Sequence, residues 1–430
     1  MSDFDLLVRS EPDIGIGAGK IVALGANLAG SARVEIDARQ LAVFPGVIDA
    51  HVHFNEPGRA DWEGFATGSR AAAAGGTTTI FDMPLNAHPP TIDGASFDAK
   101  RAAAEQHSLV DFGLWGGLVP GNLNELGVLR DRGVVGLKAF MCNSGIEDFP
   151  AVDPATLRAG MKRAAELDLL VAVHAESSAL LLPAPNMGTV RDFLASRPVE
   201  VELAAIRVAI DLAQVTGCRL HIVHVSCGRG VVLVAEARAQ GIDVTCETCP
   251  HYLFLTDDDM ERLGAVAKCA PPLRARADQE ELWDRLADIT TIGSDHSPSP
   301  WSMKEDANFF RVWGGISGCQ HLLALLVDAS DKISRQEISR LTSSGVAERF
   351  RVAGKGGLEI GHDADLTLVD LKTEDVVTAD SLHYRHRHSP YLGRKLQARV
   401  VRTVLRGQTI FENGKFSERP IGRLVRPSHA

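Results

Sequence analysis

From residue 46 to residue 295, short apolar runs alternate with longer segments in which apolar and charged residues mix. Eight runs stand out, at 46–54, 77–84, 111–118, 134–141, 169–176, 219–226, 243–250 and 289–295. Continuous apolar character over such lengths marks strands covered on both faces. The stretches between them include 63–74, 154–167, 199–215 and 231–240, which are rich in Ala, Leu, Glu and Arg and predict helices. Strand–helix alternation repeated eight times predicts parallel strands joined by crossover helices. Eight such units fit a closed, TIM-like (β/α)8 barrel of about 250 residues; an open doubly wound sheet is the alternative. The chain ends have another texture. Segments 6–9, 20–24 and 33–37 read as short strands, and 364–370 and 400–405 repeat the pattern, with Gly407 as a turn.

Composition narrows the class. A chain of 430 residues can bury a large core, and 45% hydrophobic with 23% charged residues is globular. The formal charge of −10, without a long basic block, argues against nucleic acid or an anionic membrane as the main partner. No apolar stretch is long enough to span a bilayer. The first five residues lack a basic region followed by an apolar one, so no secretory leader is expected. Seven cysteines, scattered from Cys142 to Cys319, fit reduced thiols in a cytoplasm. Cys246 and Cys249 form a lone CxxC inside the seventh run, without the second pair a zinc knuckle needs, and are expected to be buried structural thiols.

The chemistry stands at the ends of the runs. His51 and His53 close the first; in a strand, alternate side chains share one face, so both can grip one metal. Lys138 sits in the fourth run, His174 ends the fifth, His224 the sixth and Asp295 the eighth. His221, three residues before His224, faces the other way. Singly, each has a plain explanation: a hydrogen-bonded core histidine, a lysine stem lying along the core, an aspartate turn or cap. Together, four imidazoles and a carboxylate at the C-terminal ends of parallel strands converge on one mouth, where such folds place their chemistry. That set is too large for one closed tetrahedral zinc site and suits two divalent ions with positions left for water.

Pro45-Gly46-Val47-Ile48-Asp49-Ala50-His51-Val52-His53, Gly75-Gly76-Thr77-Thr78-Thr79, Gly136-Leu137-Lys138-Ala139-Phe140, Cys249-Pro250-His251-Tyr252-Leu253, Ser294-Asp295-His296-Ser297-Pro298 and Gly361-His362-Asp363-Ala364-Asp365-Leu366 form a specific set. With them, nearly the whole chain resembles the cyclic amidohydrolases, the group of dihydroorotase, hydantoinase or dihydropyrimidinase, and allantoinase. The resemblance implies a barrel over 46–350 flanked by a small β-sandwich built from 1–45 and 351–430. It implies that Lys138 is carboxylated by carbon dioxide and bridges two metals, His51, His53 and Asp295 holding one and His174 and His224 the other. Nitrogen and oxygen donors suit zinc, with manganese, cobalt or iron as other occupants. Asp295 is the expected proton shuttle. A homo-oligomer, tetramer or dimer, is implied as well.

Pocket positions separate the family's branches. Where dihydroorotase-like chains carry an arginine for a carboxylate, this chain has Asn55, and an amide does not replace a bidentate guanidinium. Where hydantoinase-like chains carry a tyrosine donor to the oxyanion, it has Asn143, whose amide can donate instead. The segments 54–59, 62–65, 82–91, 143–145 and 313–318 look like the allantoinase branch. The implied reaction is hydrolysis of the hydantoin ring of allantoin to allantoate. Asn55, Asn86, Asn143 and Ser317 are the polar groups expected around the ureido substrate, and main-chain groups near Ala270 and Gly314 are expected to clamp the ring amide. A broad-specificity hydantoinase or dihydropyrimidinase is the alternative reaction. A noncatalytic relative acting in assembly is the alternative class, disfavoured because all six metal ligands are present.

Overall fold

The computed structural model describes residues 3–183 and 188–428. Every predicted central run is a strand: Val47–Val52, Thr77–Asp82, Asp111–Leu114 continued by Gly116–Gly117, Leu137–Phe140, Leu170–His174, Arg219–Ile222, Val244–Thr248 and Thr291–Ile292. All pair in parallel and in chain order. The third run is shared, its first half pairing with Thr77–Asp82 and its second with Leu137–Phe140. A parallel bridge between Val52 and His296 ties the first strand to the segment beyond the last, where the His53 N–H donates to the His296 carbonyl at 2.8 Å. These strands are buried along almost their whole length, which is why they read as uninterrupted apolar runs.

The intervening helices start and stop on local signals. Pro154–Glu166 begins with Asp153 accepting from the Thr156 N–H and Pro154 in the first turn. Val199–Thr216 ends at Gly217, whose φ of 68° suits a residue without a Cβ. Helix Phe65–Ala74 starts two residues later than its composition predicts, because Gly64 at φ 83° breaks the turn and Glu63 turns inward to accept the Arg385 N–H. Helix Gly228–Ala239 starts earlier than predicted. Two glycines weaken its sequence signal, but a Cβ on Gly228 would lie 2.7 Å from Glu281, so close helix packing requires the glycine.

Residues 4–37 form a four-stranded sheet, ordered Lys20–Gly25, Asp13–Gly17, Phe4–Arg9, Ala32–Asp37. A five-stranded sheet joins Ala42–Pro45 to Leu366–Asp370, Arg399–Leu405, Gln408–Glu412 and Lys415–Phe416. Leu6, Val8, Ile14 and Ile16 share one buried cluster with Leu366, Leu368 and Val404, so the two chain ends pack together. The tail then returns to the parallel strands: the Phe112 N–H donates to Arg423 and the Val425 N–H to Phe112. All seven cysteines are free and buried, Cys246 and Cys249 included. No described helix is long and apolar enough to cross a membrane.

One buried ion pair braces the segment just past strand Val47–Val52. Lys100 Nζ lies 2.6 Å from Asp82 Oδ2 and 2.6 Å from the Met83 carbonyl, while Asp82 Oδ1 accepts the Phe54 N–H at 2.7 Å. Replacing Lys100 with methionine leaves the carboxylate buried without its cation, a loss of about 3–5 kcal/mol. The expected result is a clear drop in the thermal unfolding midpoint of Lys100→Met; an unchanged midpoint would contradict the role.

Candidate metal centre

His51 lies within strand Val47–Val52 and His53 just beyond it, His174 ends Leu170–His174, and Lys138 lies inside Leu137–Phe140. His224 and Asp295 sit past their strands with left-handed backbones, φ 41° and 45°. Asn55 and Asn86 share that conformation, φ 65° and 68°. Such geometry costs on the order of 1–3 kcal/mol per residue and persists only where the surroundings impose it. At His224, Asp295 and Asn86 it brings the residue to one shared cavity.

His51, His53, Lys138, His174, His224 and Asp295 line one cavity of about 340 Å³. Asp295 Oδ1 is 3.2 Å from His51 Nε2 and 3.4 Å from His53 Nε2. His174 Nδ1 is 3.1 Å from His224 Nε2. The His51 and His224 ring centroids are 5.5 Å apart, which places the two groups of donors side by side. Buried carboxylates decide which nitrogens face inward. Glu247 takes the far side of His51, at 2.7 Å from Nδ1, and Glu176 takes His174 Nε2 at 2.7 Å. With those N–H groups engaged, the opposite lone pairs point into the cavity, the usual arrangement behind a metal-ligating histidine.

Electrostatics agree with a cation-binding role. Burial pushes His51 down to about 3 and lowers His53, His174 and His224 as well, so the rings are neutral donors near neutral pH. Burial alone would raise Asp295, but His51, His53 and His224 outweigh it and hold the carboxyl well below its ordinary range. Lys138 is fully buried and its Nζ has no hydrogen-bond partner among the described residues. Burial pushes that amine down to about 8. An orphaned amine among inward-facing lone pairs fits a group that gains its partners only when cations are present.

Among the described residues, two other clusters offer metal-like donors, and each already engages a cationic side chain. Cys142, His174 and Glu176 lie together, but Glu176 accepts from Arg197 at 2.6 Å and burial pushes the Cys142 thiol up to about 12. Asp111, Asp363 and Asp365 surround Lys355 Nζ at 2.9, 3.1 and 2.7 Å.

The cavity also brings together Asn86, Asn143, Ala270 and Gly314. Asn143 Oδ1 accepts the Gly145 N–H at 2.9 Å, which leaves its NH2 free to donate. Asn86 lies 3.3 Å from His53 Nδ1. Asn55 and Ser317 are buried behind the lining rather than in it, Asn55 directing Nδ2 toward the Pro298 carbonyl at 3.5 Å. His221 turns away to Thr245, at 2.8 Å. Sequence reasoning passed over Glu247, Glu176, Arg197 and Lys268. Glu176 carried a usable signal, because it stands two residues after His174 at the end of the same run. Glu247 carried another, as the lone acid of a strand expected to be covered on both faces.

Comparison with known proteins places this geometry. Residues 42–410 match the amidohydrolase family model. A Rubrobacter xylanophilus protein named allantoinase is 55% identical, over 99% of this chain and 98% of its own. Allantoinases of Solibacter usitatus and Deinococcus radiodurans are 50% and 49% identical, each over 96% of this chain and over 93% and 95% of their own. Among solved structures, L-hydantoinase (dihydropyrimidinase) from Arthrobacter aurescens superposes with a TM-score of 0.95 at 34% identity, covering 98% of this chain and 100% of that one. Dihydropyrimidinase from Brevibacillus agri gives 0.90 at 30% identity with both chains fully covered. The chain belongs to the amidohydrolase family, as an enzyme that hydrolyses C–N bonds.

Proposed function

We propose that the enzyme opens the hydantoin ring of allantoin to give allantoate, at a binuclear metal site inside a closed (β/α)8 barrel. The full-length identity of 55% to an allantoinase carries the choice of substrate. The superposition on hydantoinase and dihydropyrimidinase structures supports the barrel and keeps broad-specificity ring opening as the second reading. The division is 46–350 for the barrel and 1–45 with 351–430 for the sandwich, supported by the cluster that joins the chain ends. Seven buried free thiols support a reducing compartment, the cytoplasm.

His51, His53 and Asp295 would hold one divalent ion and His174 and His224 the other, zinc being the first choice for this donor set. Lys138 would bridge them once carboxylated. Its neutral amine attacks the carbon of carbon dioxide, one C=O π bond opens as the N–C bond forms, and the nitrogen releases a proton to solvent, so a neutral side chain becomes an anionic oxygen donor. The ions, when bound, supply Lewis acidity toward the carbonyl and an activated water near neutral pH. Asp295, ionised and facing the same space, accepts the proton of the attacking water and delivers it to the departing ring nitrogen. The free NH2 of Asn143 donates to the carbonyl oxygen as it gains negative charge. Main-chain groups at Ala270 and Gly314 clamp the ring amide. Asn86 faces the ureido group, and Asn55 and Ser317 shape the pocket from behind. These neutral amides and hydroxyls suit an uncharged ureido substrate.

Steady-state comparison of allantoin, hydantoin, dihydrouracil and dihydroorotate tests the substrate. The highest kcat/KM is expected for allantoin; dihydrouracil ahead by about tenfold, or 1.4 kcal/mol, would transfer the assignment to the second reading. Lys138→Ala should lose both metal and activity, with partial rescue by short carboxylic acids, whereas wild-type turnover would remove the bridging role. Glu247→Gln, which weakens the group orienting His51, should lower metal affinity by about 10–100-fold in a chelator titration. An unaltered titration would detach Glu247 from the metal site.

A further inference from the structure

One wall of the cavity has no regular secondary structure: Phe310, Arg311, Val312, Trp313, Gly314 and Gly315 all border it. Main-chain carbonyls in such a stretch lack ladder partners and must find others. Two buried lysines supply them. Lys268 Nζ donates to the carbonyls of Phe309, Phe310 and Val312 at 2.7, 3.1 and 2.5 Å. Lys304 Nζ donates to Ala265, Trp313 and Gly315 at 3.2, 3.0 and 2.8 Å. An ammonium has three donors and no acceptor, so both groups are fully used. Among the described residues, the acceptors for each are carbonyl oxygens rather than a carboxylate, with the Phe193 ring 4.8 Å from Lys268 Nζ.

Burying an ammonium without a counter-carboxylate is unfavourable. Accordingly, burial pushes both amines down to about 7. The Lys268 carbonyl also accepts the Gly315 N–H at 2.8 Å, and Lys268 is followed by Cys269 and Ala270, which line the same cavity. One residue thus joins the two main-chain stretches that face the substrate space.

We infer that Lys268 and Lys304 are positioning residues for substrate binding, their ammonium groups holding the 309–315 wall so that the Gly314 main chain meets the substrate ring. The inference rests on that cavity being the active site. Each Nζ is spent on main-chain carbonyls, so loss of either lysine acts on substrate capture more than on the chemical step.

Lys268→Met and Lys304→Met remove the donors at nearly constant length. Metal content is expected to stay at the wild-type value. KM for allantoin is expected to rise about tenfold or more while kcat changes by less than about threefold. Lys268→Arg, which restores charged donors, should recover part of the loss. Without substrate, amide hydrogen exchange in 309–315 should quicken in both methionine variants and stay unchanged in Leu170–His174 and Val244–Thr248. That readout separates this inference from the substrate assignment, because it holds for whatever ring the enzyme opens. Unchanged exchange together with unchanged KM, or a fall confined to kcat, would overturn it. If neither methionine variant accumulates folded, the wild type decides. The Trp313 and Gly315 amides, bonded to the Met303 and Lys268 carbonyls, should exchange as slowly as the strands, and rapid exchange would overturn the inference.

Discussion

Glu247 and Glu176 each take one nitrogen of a ring and leave the other facing the cavity, and the whole site depends on that choice. An imidazole can carry its proton on either nitrogen, and the partner of one fixes the role of the other. Glu247 engages His51 through Nδ1, so Nε2 faces inward; Glu176 engages His174 through Nε2, so Nδ1 does. The two rings therefore approach the cavity by opposite edges, as their different positions on the strand ends require. Arg197 in turn pins Glu176, and with His174 it outweighs the penalty of burial to hold that carboxyl near 2. Orientation is set by two buried acids that water cannot reach: Glu176 is held ionised, whereas burial pushes Glu247 up to about 8.

The ligand-bearing strands were legible because parallel strands covered on both faces leave few polar positions, and those few stand out. His51, His174 and Lys138 interrupt apolar runs, and each borders the cavity. The ends of the elements were harder to read, because tertiary contact overrides local preference. Gly228 and Gly230 weaken a helix that packing against Glu281 demands. Strand Asp13–Gly17 was passed over for a similar reason: Gly15 breaks the pattern, yet a Cβ there would lie 2.5 Å from the Phe4 ring. Arg197 and Lys268 gave no pattern at all. Their partners are far away in the chain, Lys268 reaching carbonyls 41 to 44 positions on. No periodicity within one element encodes such a contact.

Pocket identity divides between side chains and main chain, and the two were unequally visible. Asn143 could be weighed from sequence because a different residue type is expected there in another branch. Asn55 could be weighed in the same way, although it lies behind the lining and acts on the cavity only through its neighbours. The Ala270 and Gly314 main chains have no residue-type signature, and their placement depends on how the irregular wall is held.

The packing of the N-terminal sheet on strands from the other chain end has a consequence for how the polypeptide is made. Lys20 pairs with Asp363, 343 positions later. Leu6, Val8, Ile14 and Ile16 therefore leave the ribosome long before Leu366, Leu368 and Val404 exist to cover them. Throughout elongation the earliest strands carry unburied apolar surface, the condition under which nascent chains aggregate or recruit chaperones. The wait between the first strand and its last partner, set by translation speed, is a hazard separate from the finished enzyme's stability.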